Sequence, residues 1–512
     1  MTTRWRLQDV ALGSLVTLAE LLALKVRPGD AVLLHGDLGA GKTTFARAML
    51  RAVIGDPEAE VPSPTFPIVQ LYDTPRLPIA HFDLYRIADP SELEEIGLED
   101  ALASSLTLVE WPDRADGLAA PDRIDVTLAE TQDPETRDVT LVASGSWVER
   151  LERLHAIHDF LAKALGAPAR IAYLQGDAST RAYARITAAD ATPYVLMDAP
   201  RMPDGPPILD GLPYSRIARL AEDVRPFVAI DHALAARGLS VPAIAAHDLD
   251  AGLLLLEDLG HMAFANALDA GVPQSDPWLA AVDVLVALRR DPPPQALPLP
   301  DGTAYGLQRF DRAALEIEIG LLLEWYWPAA FGAPPPADVA EAFSMAWAPL
   351  LDTMLDAPPG VFLRDFHSPN LFWLPDRTGI RRVGIIDFQD ALAEHWAYDV
   401  ASLLQDARLD VAPELEEAGL ERYCAAVAAF DPDFDRAAFM THYATFGAQR
   451  NTRLLGLWVR LLKRDAKPHY MRHMPRTWDY LARNLAHPAL AEVAAWFNRH
   501  IPEAVRKRPI AT

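Results

Sequence analysis

The run Gly36-Asp37-Leu38-Gly39-Ala40-Gly41-Lys42-Thr43, followed by Thr44, constrains the fold more than any other stretch of the chain. An apolar run at residues 31–34 precedes it, and helical spacing resumes over 43–53. Strand, glycine loop and helix in that order form a cradle for phosphate. The glycines let backbone N–H groups turn inward, and the helix N-terminus adds partial positive charge. Lys42 is expected to reach the β- and γ-phosphates of ATP, and the Thr43 hydroxyl to ligate Mg²⁺.

The surrounding 150 residues alternate between strand and helix patterns. Residues 3–7, 31–34, 79–84, 106–109 and 139–142 read as strands, and 10–25 and 43–53 as helices. This alternation predicts an α/β domain with a largely parallel sheet. Around 144–147 the pattern lapses, and 148–165 reads as a new helix. Strand candidates return at 172–174, 183–186, 194–197 and 252–256, with a helical run at 215–237. Beyond Asp258 the pattern is mostly helical. A chain of 512 residues exceeds what one core organises. The expected division is an ATPase domain at 1–150 and a second domain at 151–512, an α+β bilobal fold with lobes at about 151–258 and 259–512.

Three bulk features bound the function. The net charge is −24, and residues 1–150 hold 13 Lys and Arg against 25 Asp and Glu, so each part contributes −12. Neither has the basic footprint of an independent nucleic-acid binder. The single cysteine, Cys424, excludes an internal disulfide and a Cys-rich zinc site, and fits a reducing, cytoplasmic setting. No apolar run approaches the ~18 residues of a membrane span, and Asp9, Glu20 and Lys25 break up the N-terminus where a signal peptide would be apolar.

Four further motifs follow the glycine loop: Ser63-Pro64-Thr65-Phe66, His81-Phe82-Asp83-Leu84-Tyr85-Arg86, Glu92-Leu93-Glu94-Glu95-Ile96-Gly97-Leu98 and Glu110-Trp111-Pro112. Asp83 and Glu110 each end a strand, where a carboxylate suits a metal ligand and a water-orienting group respectively. Thr65 is placed to sense the γ-phosphate. Over about residues 1–150 this set resembles the TsaE family, the ATPase of the bacterial machinery that threonylcarbamoylates adenosine 37 of tRNA. The resemblance implies ATP hydrolysis in complex with a TsaB–TsaD pair, with tRNA contacted only indirectly.

The second half carries Leu363-Arg364-Asp365-Phe366-His367-Ser368-Pro369-Asn370 and, seventeen residues after Asn370, Asp387 at the end of Ile385-Ile386. Phosphoryl transfer needs a carboxylate at the acceptor hydroxyl and oxygen ligands for metal. Asp365 fits the first role; Asn370 and Asp387 fit the second. Upstream, Gly176-Asp177-Ala178-Ser179-Thr180-Arg181 joins two strand candidates, so Ser179, Thr180 and Arg181 are expected over the phosphates. Glu257, in Leu255-Leu256-Glu257-Asp258, is expected where adenine binds. With Tyr398-Asp399-Val400-Ala401, these motifs are similar to the aminoglycoside/choline phosphotransferase superfamily over roughly 152–490. Residues 176–185 and 195–200 resemble its anomeric kinases of cell-wall sugars, which phosphorylate the C1 hydroxyl of N-acetylmuramate or N-acetylglucosamine.

The third strand departs from the superfamily pattern: it reads Val195-Leu196-Met197-Asp198, with no lysine. Arg181 or Arg185 is the candidate replacement, although arginine is not a simple substitute for lysine. An antibiotic- or choline-type kinase and a non-catalytic pseudokinase are the alternative readings. The run 315–327, with Glu316, Glu318, Glu324 and Trp325, reads first as a packed aromatic helix with a solvated acidic side, and second as a sugar contact. His367 reads as a local hydrogen-bonding residue.

Overall fold

The computed structural model describes residues 2–87, 92–115, 118, 120–175, 181–292 and 294–510. It divides into two compact units, Met1–Pro200 with Ile244–Asp258, and Arg201–Ala243 with Leu259–Thr512.

The first unit holds two sheets. The larger takes β1 (Thr3–Ala11), β2 (Ala31–His35), β3 (Val69–Tyr72), β4 (Ile79–Asp83), β5 (Leu106–Glu110), β6 (Arg123–Glu130) and β7 (Thr136–Ser144) in the order β1-β7-β6-β2-β5-β4-β3. Its centre, β6-β2-β5-β4, is parallel, as the strand–helix alternation predicts. Strands β2, β4 and β5 are buried nearly end to end, so their unbroken apolar runs suit a centre covered on both faces. The flanks are antiparallel: β1 and β7 on one edge, β3 on the other. Strands β3 and β6 escape the sequence reading. Val69–Tyr72 is never fully buried, and β6 alternates buried and exposed positions with charged ends.

Helix α1 (Leu12–Ala23) and helix α2 (Lys42–Ile54) pack on this sheet, with Leu18, Leu22, Phe45 and Met49 at most 2% exposed. Helix α3 (Leu98–Ser104) follows, and then α4 (Trp147–Leu165) buries Trp147, Leu151, Leu154, Ile157 and Leu161, a stripe at helical spacing. The second sheet is wholly antiparallel, from β8 (Arg170–Leu174), β9 (Ala182–Thr187), β10 (Pro193–Asp198), β11 (Ile244–Asp248) and β12 (Leu253–Glu257) in the order β11-β12-β10-β9-β8. One continuous core runs from Trp5 through α1, α2 and α4 to Ile171, Ile186, Leu196 and Leu255. The two sheets of this unit therefore share their interior.

In the second unit the expected helical run at 215–237 breaks. A short helix, Tyr214–Ile217, ends, Arg219 takes a left-handed φ of 56°, and α5 (Arg225–Ala236) begins with Pro226 in its first turn. Proline is tolerated there and disfavoured inside a helix, which is why the run splits. The unit continues through α6 (Ser275–Arg289), α7 (Arg312–Leu321) and α8 (Ala337–Asp356). Two small antiparallel pairs follow: β13 (Gly360–Phe362) with β16 (Leu392–Glu394), and β14 (Leu371–Trp373) with β15 (Val383–Ile385). Helices α9 (Ala397–Leu404), α10 (Pro413–Ala428), α11 (Arg436–Lys463), α12 (Met474–Leu485) and α13 (Ala491–His500) complete it around the buried indoles of Trp278, Trp347 and Trp458.

Candidate active sites

The first site lies at the C-terminal ends of β2, β4 and β5. Gly36, Gly39 and Gly41 hold φ of 138°, 85° and 105°, a region costly for other residues. A Cβ on Gly36 would also stand 2.4 Å from the Leu128 carbonyl oxygen. Arg137 braces the loop from outside, its Nε donating to the Ala40 carbonyl at 3.0 Å. No side chain caps α2, which starts at Lys42, so its first N–H groups face the loop without a side-chain acceptor. Lys42 is 5% exposed. Its Nζ donates to the carbonyls of Gly36 and Asp37 at 2.7 and 2.8 Å and stands 3.7 Å above the Trp111 ring. Burial pulls its pKa down, against the opposing charges of Glu110, Asp83 and Asp37.

Parallel pairing sets Asp83 beside Glu110 across β4 and β5. The Thr43 hydroxyl donates to Glu110 Oε2 at 2.8 Å, and the Thr65 hydroxyl to Asp83 Oδ2 at 2.6 Å. Two hydroxyls and two buried carboxylates beside an uncapped helix form a hard-oxygen donor set that suits Mg²⁺ with a triphosphate. Sequence reasoning placed His81 in a motif but gave it no role; it is fully buried, with its Nε2 3.0 Å from Glu110 Oε1. The signal was present: His81 is two residues before Asp83 on one strand and so shares its face.

In the second unit, β13 delivers the chain into Leu363–Asn370, and β15 delivers it to Asp387. Asn370 joins them: its Nδ2 donates to the Asp365 carbonyl at 3.0 Å and reaches Asp387 Oδ2 at 3.4 Å. Asp387 adopts φ 58°, and Gln389 Nε2 donates to its Oδ1 at 2.9 Å. A non-glycine residue in that region is strained, and such strain gathers at functional sites. The loop is anchored by carboxylates beneath it. Asp399 accepts from the N–H groups of Leu363 and Arg364 at 2.6 and 3.0 Å, and Asp406 from Ser368 N–H at 2.7 Å. Arg364, 1% exposed, donates to Glu318 Oε1 at 2.5 Å and to the Ala218 carbonyl at 2.9 Å.

Burial opposes the Asp365 charge, yet the groups around it, His367 and then Arg453, Arg364 and Arg450, outweigh that cost and hold its carboxyl below the usual range. His367 is itself pushed down to about 4 by burial. At neutral pH the three guanidiniums therefore carry the effect. The His367 ring does not supply the expected local hydrogen bond: Nδ1 is buried without a partner, and its carbonyl accepts from Asn370 N–H instead. Glu318 is no sugar contact either; it is fully buried against Arg364 and Gln449. Gln389, Glu318 and Asp406 carry no motif signal, since each earns its place only through tertiary contacts.

The remaining expected residues belong to the first unit. Arg185 Nε donates to Asp258 Oδ2 at 2.7 Å, Glu257 pairs with Tyr194 in the β12–β10 register, and Arg181 immediately precedes β9. Ser179 and Thr180, with Gly176–Ala178, lie outside the described residues. At the lysine-less end of β10, Asp198 takes Lys25 Nζ at 2.5 Å and Arg153 NH2 at 2.6 Å.

Residues 12–139 match the family model "Threonylcarbamoyl adenosine biosynthesis protein TsaE", and residues 170–440 match "Phosphotransferase enzyme family". An N-acetylmuramate/N-acetylglucosamine kinase of Caulobacter vibrioides is 42% identical over 347 residues, 65% of this chain and 93% of the relative. The chain belongs to both families. A second kinase of that name, from Pseudomonas aeruginosa, is 30% identical over 64% of this chain and 87% of its own length. A tRNA threonylcarbamoyladenosine biosynthesis protein TsaE of Rickettsia felis is 40% identical over 139 residues, 27% of this chain and 80% of the relative. The chain is thus a bifunctional enzyme that uses ATP twice, with a TsaE ATPase region followed by a phosphotransferase-family kinase region. Among the described residues, no helix is long and apolar enough to cross a membrane.

Proposed function

We propose that the kinase region transfers the γ-phosphate of ATP to the C1 hydroxyl of N-acetylmuramate or N-acetylglucosamine, and that the TsaE region hydrolyses ATP in support of tRNA threonylcarbamoylation with TsaB–TsaD. The observation that carries the kinase reading is the Asn370 amide, which ties the Asp365 loop to Asp387. Asp365 accepts the acceptor proton: its depressed pKa keeps it ionised at neutral pH. Asn370 and Asp387 hold Mg²⁺, which when bound neutralises charge developing on the phosphates. Arg181 or Arg185, with Ser179 and Thr180, contacts phosphate, and Glu257 marks the adenine end.

In the TsaE region Lys42 and residues 36–44 hold the triphosphate, Thr43 and Asp83 hold the metal, Glu110 orients the attacking water and Thr65 senses the γ-phosphate. Leu38 on the glycine loop and Phe66 beside Thr65 are 74% and 80% exposed, which supports docking of a partner at this rim. The acidic charge agrees with leaving tRNA to that partner. The domains divide at about residue 150, with kinase lobes at about 151–258 and 259–512, and the protein works in the cytoplasm. An acceptor panel of amino sugars, aminoglycosides and choline, with the product anomer read by NMR, tests the kinase reading. It expects α- or β-1-phosphate of an amino sugar; turnover of only aminoglycosides or choline contradicts it.

A further inference from the structure

Helix α11 carries Arg450, Arg453 and Arg460, and Arg464 follows it. Spacings of three, seven and four place all four on one face. The inner end of this ladder is electrically matched. Arg450 NH1 donates to the Gln405 carbonyl at 3.4 Å, Arg453 NH1 to the Tyr398 hydroxyl at 3.3 Å, and Arg453 Nε lies 3.6 Å from Glu318 Oε1. Arg364, Arg450 and Arg453 are thus set among four carboxylates, Glu318, Asp365, Asp390 and Asp406.

Arg460 differs. It sits two turns farther along the helix, about 10 Å from Arg453. It is half-buried, with its guanidinium 5.1 Å over the Tyr214 ring and its Nε buried without a hydrogen-bond partner. No carboxylate forms an ion pair with it among the described residues; neighbouring Asp465, paired with Arg464 at 2.7 Å, lies only within its electrostatic reach. Tyr214 also lies within electrostatic reach of Arg453, which in turn acts on Asp365. Arg453 thus links Asp365 and Arg460, acting on the one and sharing Tyr214 with the other. Facing α11 is the π-helical turn Leu322–Tyr326, whose exposed Glu324 acts on Arg464. Gly456 lets α11 close on the end of α7, from which this turn continues, since a Cβ there would meet the Leu321 backbone at 2.2 Å.

We infer that Arg460, backed by Tyr214, is the specificity residue of the acceptor site and recognises a carboxylate carried by the sugar. With Nε buried, the two terminal nitrogens are the donors a ligand can meet, and neither is hydrogen-bonded to a described residue. The guanidinium fork matches a carboxylate in two-point geometry. A neutral amino sugar leaves that fork unmet, whereas the lactyl acid of N-acetylmuramate fills it. The inference rests on the sugar-kinase reading and deepens it.

The test compares kcat/KM for N-acetylmuramate and N-acetylglucosamine in the full chain, for the wild type, R460A, R460Q and R460K. The ratio of the two should fall by about tenfold or more in R460A and R460Q, the range of a lost hydrogen bond to a charged group. The loss should come through KM of the acidic sugar, and R460K should recover part of it. Turnover of the neutral sugar reports folding in the same preparations. A ratio unchanged while both sugars lose equally assigns Arg460 to the phosphoryl group or to the fold and overturns the inference alone. Wild-type turnover of neither sugar overturns the sugar-kinase reading, and the inference with it.

Discussion

Glu110 shows how much one side chain can be asked to do: it takes the Thr43 hydroxyl on one oxygen and His81 on the other, at 2% exposure. Glu110→Gln keeps the shape and removes the charge, so ATP hydrolysis should fall by about 10²-fold or more in kcat; a loss under threefold would remove Glu110 from the reaction. Glu394 makes a pH prediction. Burial raises its pKa from 4.5 to about 7, against the Phe310 N–H and Arg309. A raised acid contributes stability that is fully present below its unfolded pKa and lost as pH rises through its folded one. The folded chain should therefore lose this contribution between about pH 4.5 and 7. Glu394→Gln should melt higher relative to wild type at pH 8 than at pH 5, because glutamine can still accept from Phe310; an equal difference at both values contradicts the assignment. At this level the sequence was most legible where chemistry is local. Lys42, Thr43, Asp83 and Glu110 stand on strand ends and a glycine loop that announce themselves. Glu394 does not, because only folding makes it buried.

Helix α7 illustrates the same boundary one step up. Its sequence offers Glu316 and Glu318 two residues apart, and spacing alone cannot say which faces inward. Folding buries Glu318 completely between Arg364 and Gln449 and leaves the Glu316 side chain 56% exposed. Glu318→Ala should thus cost about 3–5 kcal/mol, since it strands two buried guanidiniums, while Glu316→Ala should stay within about 0.5 kcal/mol. Calorimetric melts of both variants decide; equal small losses would contradict the buried pair. The central strands of the large sheet were readable for a related reason. An unbroken apolar run such as 31–34 has few alternatives, whereas the half-exposed edge strand Val69–Tyr72 has no period of its own to detect. The split of residues 214–236 into two helices was signalled by Pro226, but the left-handed Arg219 that turns the chain was not.

Across the whole molecule, the sequence marks a change of pattern near residue 145 but not the joint built there. The first unit ties the TsaE region to the following sheet through a common core and through buried polar links. Arg150 grips Asp30 with two bonds of 2.6 and 2.7 Å, and Glu20 accepts from Ile171 N–H at 2.7 Å. A chain beginning at Trp147 would expose the apolar faces of α4 and β8, so it should melt several degrees below the full chain's kinase transition; an unchanged melting temperature would show that the joint contributes nothing. Shared packing does not imply shared chemistry, because each region carries its own carboxylates, Asp83 with Glu110 in one and Asp365 with Asp387 in the other. Lys42→Ala and Asp365→Ala, each assayed for ATP hydrolysis and for amino-sugar phosphorylation, separate the two. The expected pattern is reciprocal: Lys42→Ala loses hydrolysis by about 10²-fold or more and retains phosphorylation, and Asp365→Ala does the reverse. A single substitution that abolishes both reactions, or two that abolish neither, would contradict two separate ATP sites in one chain.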